Sequence, residues 1–134
     1  MSSLIAHGRV AALLLAGVPL AALAHHGVSR YDMQTVSTLE GVVEKWGWQN
    51  PHTSLTLRVE RDGETRSWEI EGAPPSWMSG QGWTPESLTP GERIAITYHP
   101  ARSGDYEWDG ILMEAARADG TVLKVNRPRS LGGP

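Results

Sequence analysis

The chain has no cysteine, which excludes disulfides and thiolate metal sites together. It also has no phenylalanine, although six Trp and three Tyr occur in 134 residues. Every aromatic ring therefore carries a polar handle and suits a core edge or the half-buried wall of a groove. Charge of one sign is scarce as well: the net charge is −3, from 12 basic and 15 acidic side chains. No basic field exists to attract phosphate backbones, so nucleic acid is not an expected partner. After residue 24, no apolar run approaches the roughly 20 residues of a membrane-spanning helix. Catalytic pairings are missing too. Ser54 and Ser76 lack the context of a nucleophile elbow, and the glutamates at 40, 44, 60, 69, 71 and 92 read as solvated strand-face positions. Asp-Gly at 62, 109 and 119 reads as turn chemistry, without the spaced carboxylates of a calcium loop. No catalytic residue is assigned, and a binding role is favoured over an enzyme.

What is present first is a leader. Arg9 precedes an apolar run from Val10 to Leu23, interrupted by Gly17 and Pro19, and Ala22-Leu23-Ala24 offers small residues at the positions a signal peptidase reads. Residues 1–24 are therefore expected to be a signal peptide cleaved after Ala24. The expected mature chain is soluble, periplasmic or secreted, and has no membrane anchor. It divides into an arm over 25–37, a β domain over 38–125 and a loose tail over 126–134.

Hydrophobic periodicity organises the β domain. Val42, Val43, Trp46 and Trp48 mark a first strand over 38–48, and Asn50-Pro51 breaks it. Leu55, Leu57 and Val59 then alternate with Ser54, Thr56, Arg58 and Glu60, the period of a strand with one dry face. That second strand is expected over 52–60 and reaches the Asp62-Gly63 hairpin turn. Trp68 and Ile70 place a third strand over 65–71. Pro74 and Pro75 start a short helix over 76–82. Ile94, Ile96 and Tyr98 alternate through a fourth strand over 93–99, and a fifth follows over 110–118 with a short extension over 121–125. Three hairpin-connected strands, a helix and two further strands follow the order of a five-stranded OB-like barrel, an all-β fold with one short helix between strands three and four.

Five segments carry a family resemblance: HHG at 25–27, EGVVEKWGWQNPH at 40–52, WEIEGAPPSWM at 68–78, GW at 82–83 and HPARSGD at 99–105. On them the chain resembles DUF6152, a family of small exported bacterial proteins of unknown function. The resemblance implies an exported β-barrel and brings no catalytic residues.

Candidate chemistry lies in four histidines. Cleavage after Ala24 makes His25 the first residue, so a free amine adjoins the imidazoles of His25 and His26, a nitrogen donor set suited to copper. Strand parity directs His52 and His99 away from the dry faces. In an OB topology the arm enters the first strand beside His99, which favours a set of His25, His26 and His99, while its length also permits it to reach His52. Measured along the eight residues of a strand, roughly 26 Å separate His52 from His99. A second, metal-free reading uses Trp46, Trp48, Tyr106 and Trp108 near the loops after strands one and four, with Asn50 and Gln49 to orient a small ligand or a protein partner. A copper oxidase built on the same terminal donors is a third. Metal binding is the first of these readings, the metal-free barrel the second, and the oxidase has no further support in the sequence. The mature protein is expected to begin at His25; N-terminal sequencing of the secreted chain checks this, and any other first residue removes the terminal amine from the donor set.

Overall fold

The alternation of Leu55, Leu57 and Val59 with polar neighbours becomes a strand with a dry inner face, as does that of Ile94, Ile96 and Tyr98. All six side chains are buried. The computed structural model describes residues 29–102 and 108–126. The chain runs β1 (Ser37–Gly47), β2 (Ser54–Arg61), β3 (Glu64–Glu71), helix α1 (Pro75–Ser79), β4 (Arg93–Pro100), β5 (Asp109–Arg117) and β6 (Val122–Lys124). The sheet order is β3-β2-β1-β4-β5-β6, and a further pairing of β3 with β5 closes five strands into a ring. That pairing is parallel, whereas its neighbours in the ring are antiparallel. The fold is the expected OB-like barrel, with β6 added at the outer edge of β5.

One contiguous core fills the ring. Leu39, Val43, Leu55, Leu57, Ile70, Ile94, Ile96 and Leu112 meet in it, and Met78 of α1 joins them. All six tryptophans belong to this core or its margin: Trp68 and Trp83 are buried, and Trp46, Trp48, Trp77 and Trp108 pack against it partly exposed. The Trp83 indole N–H donates to the Lys124 carbonyl at 2.9 Å, satisfying the polar handle of a fully buried ring. Asp62 and Gly63 both take positive φ (54° and 80°), the backbone required by a two-residue hairpin between β2 and β3.

Two element boundaries differ from expectation by more than one residue. β2 begins at Ser54 rather than His52, because β1 ends at Gly47, the partner of Ser54. Thr53 has no β1 residue opposite it. Its N–H and hydroxyl both donate to the Ala73 carbonyl at 3.0 Å, and its carbonyl accepts from Gly72 at 2.8 Å. α1 ends at Ser79 rather than Gly82, since the Trp83 N–H returns to the Met78 carbonyl and draws the chain back toward the core. The expected leader, His25 and His26 at the start of the arm, Tyr106, and residues 127–134 of the expected tail lie outside the described residues.

Ile96 is 1% exposed, whereas Thr97 points out of the barrel. Ile96→Ala is expected to cost about 2–5 kcal/mol of stability and Thr97→Ala far less, as urea denaturation will show. Equal losses would mean that the assignment of inner and outer faces along β4 is wrong.

Candidate functional site

The stretch ahead of β1 docks along the end of β4. The Tyr31 backbone bridges to Ala101. The Asp32 N–H donates to Pro100 at 2.8 Å, the Arg102 N–H donates to Arg30 at 2.7 Å, and the Arg102 side chain donates to Ser29 at 3.1 Å. His99 sits under this stretch with Nδ1 donating to the Thr35 carbonyl at 2.8 Å, so one nitrogen of His99 is engaged by backbone.

Tyr31 then carries the arm past His99 to another corner. Its side chain is completely buried, although it lies outside the contiguous barrel core. The hydroxyl donates to Glu71 Oε2 at 3.2 Å and to Asp109 Oδ1 at 3.3 Å, one proton shared between two carboxylates. Arg30 is ion-paired with Asp109, and its guanidinium lies 5.1 Å from the Tyr31 ring centroid. The other oxygen of Glu71, Oε1, is 3.0 Å from His52 Nδ1. Burial, followed by the charge of Glu71, pushes the Tyr31 phenol up to about 12, so it stays protonated and a donor across the physiological range. Arg30, Tyr31, His52, Glu71 and Asp109 line an open cavity of about 290 Å³ that Gln49 and Asn50 share.

Barrel closure sets this geometry. Glu71 at the end of β3 and His99 near the end of β4 are both register partners of Ile111, on opposite sides of β5. Two strand spacings, roughly 10 Å, therefore separate their backbones. The separation of about 26 Å expected between His52 and His99 follows β1, whereas Glu71, which contacts His52, is related to His99 by the route across β5.

The aromatic candidates enter two separate ring clusters. Trp46 lies 5.8 Å from Trp48 and 5.6 Å from Trp83, and its indole donates to Thr84 at 3.2 Å. Trp108 meets Trp68 edge-on at 5.2 Å, and Trp68 meets Tyr98 at 5.7 Å. The Arg66 guanidinium lies 4.8 Å from the Trp108 ring centroid.

Two carboxylates of the site were hidden by ordinary sequence context. Glu71 has the pattern of a solvated strand-face residue, and its neighbours at 40, 44, 60 and 69 are indeed exposed. At the strand end, however, the arm covers it. Glu92 also departs from that reading, since it is ion-paired with the Arg117 side chain. Asp109 has the pattern of an Asp-Gly turn but is the first residue of β5 and accepts the Tyr31 proton. Tyr31 is an isolated aromatic in an arm without clear hydrophobic period, a pattern that suggests at most a tack onto the barrel.

The sequence matches a family described as "Family of unknown function (DUF6152)" over residues 12–110. No curated protein matches it. Among solved structures, it is similar to the mitochondrial single-stranded DNA binding protein Rim1 from S. cerevisiae in two crystal forms. The first shares 10% identity over 69% of this chain and 97% of that one, with a TM-score of 0.47. The second shares 12% identity over 69% and 96%, with a TM-score of 0.46.

The raised phenol gives a measurable pH dependence. Below pH 10 Tyr31 is protonated in both folded and unfolded chains, and its contribution is fully present. Between 10 and about 12 the unfolded chain loses its proton first, so stability falls as pH rises. Thermal melts across that window are expected to show a downward slope that Tyr31→Phe reduces; an unchanged slope would separate Tyr31 from it.

Proposed function

The chain belongs to the DUF6152 family, whose function is unknown, and from that premise we propose that it is an exported, soluble binding module for a transition metal ion, copper foremost. The ion is held at the barrel corner by His52 together with His25, His26 and the amine freed by cleavage after Ala24. The observation that carries this reading is Tyr31, which leads the arm away from His99 and anchors it beside His52 and Glu71. His26 precedes Arg30 by four residues, a span of at most about 14 Å from the cavity wall. Among the described residues no cluster of three or more His, Cys, Asp or Glu side chains is poised for a metal. His52 thus needs donors from elsewhere, and the arm provides imidazole and amine nitrogens, which suit Cu(II), Ni(II) and Zn(II). A bound ion would tie the N-terminus to the barrel, and Glu71 would offset part of its charge.

The metal-free reading retains one specific support. Trp68, Tyr98, Trp108 and Arg66 border a second cavity of about 430 Å³, where ring faces and guanidinium groups suit a small organic ligand or a side chain of a protein partner.

Calorimetric copper titrations of the secreted protein test the metal site. One residue added ahead of His25 displaces the amine, and His52→Ala removes the barrel donor; each is expected to weaken binding at least about tenfold, while His99→Ala leaves it unchanged. Native affinity in the extended variant would overturn the terminal site, and loss in His99→Ala alone would move it to the other side of β5.

A further inference from the structure

We infer that Glu71, held by Tyr31, is a positioning residue that sets the tautomer of His52 so that Nε2 is the nitrogen offered to a metal. The inference rests on the metal reading above and concerns the barrel half of that site. Glu71 Oε1 lies 3.0 Å from His52 Nδ1. A carboxylate only accepts, so the proton of the neutral ring belongs on Nδ1 and the lone pair on Nε2. The second oxygen of Glu71 is engaged by the Tyr31 hydroxyl at 3.2 Å, which leaves the carboxylate little freedom to rotate. Its backbone is fixed on both sides, paired with Ser54 in β2 and Ile111 in β5.

Metal-binding histidines commonly donate their other N–H to a carboxylate, which orients the ring and raises its basicity. Here that outer partner is Glu71, and the arm holds it in place, because Tyr31 belongs to the arm while Glu71 and His52 belong to the barrel. Arm docking and the tautomer of His52 are therefore linked through one carboxylate, and a metal bridging arm and barrel favours the same docked state.

Ring ¹⁵N spectra of the metal-free secreted protein, recorded well above the imidazole range near 6.5, test the assignment without relying on copper. Native His52 is expected as the Nδ1–H tautomer with Nε2 unprotonated. Glu71→Ala is expected to populate Nε2–H, whereas Glu71→Gln, whose amide oxygen still accepts, is expected to restore Nδ1–H. Copper affinity should follow the tautomer, falling about 10- to 100-fold in Glu71→Ala and recovering in part in Glu71→Gln. A native Nε2–H tautomer, or a Glu71→Ala spectrum identical to native, overturns the inference. The expected tautomers in a protein that binds no copper would leave the role of Glu71 intact and overturn the metal reading instead.

Discussion

The parallel pairing of Glu69, Ile70 and Glu71 with Asp109, Gly110 and Ile111 turns an open sheet into a ring, and the placement of Glu71, Asp109 and His99 relative to one another follows from it. Closure requires β3, β4 and β5 to approach closely. A side chain at Gly110 would collide with the ring of Tyr98, so this position tolerates nothing larger than hydrogen. Closure also places Asp109, the first residue of β5, opposite Glu69 and within reach of the phenol that Glu71 binds. Without the ring, the ends of β3 and β4 would have no strand in common.

A second consequence is that the barrel mouth concentrates acid. Glu71 and Asp109 both accept from one hydroxyl, and two like charges around one proton are tolerable only with compensation. Arg30 supplies it to Asp109, and Glu71 accepts a further hydrogen bond from His52. The arm thus provides the phenol and one cation, and the barrel provides two carboxylates and an imidazole. This explains how a stretch with no hydrophobic period docks firmly: a buried ring covers apolar surface, while polar groups find partners at the strand ends.

The aromatic residues follow a different logic. With no phenylalanine available, Trp supplies much of the bulk of a small core, and each ring must place its N–H as well as its faces. Trp83 does so on the Lys124 carbonyl and Trp46 on that of Thr84, and in both cases the bond ties the segment after α1 to the barrel. The same rings that look like a ligand platform in the sequence are largely committed to this packing. Trp108 keeps a face toward solvent-accessible space under Arg66.

The strands were legible because period-two burial is a local property. Leu55, Leu57 and Val59, like Ile94, Ile96 and Tyr98, state their inner face without reference to the rest of the chain. Turns at Asp62-Gly63 and Asp119-Gly120 were legible for the same reason, as was the order of elements that implies an OB-like barrel. Strand ends were less so, since where β2 begins depends on where β1 stops. The chemistry of the candidate site was decided by tertiary structure. Glu71 and Asp109 are ordinary in local sequence and become a pair only through the β3–β5 closure. Tyr31 meets them across separations of 40 and 78 residues. Sequence periodicity records which way a side chain faces from its own strand; it holds no record of which distant segment will arrive to cover it.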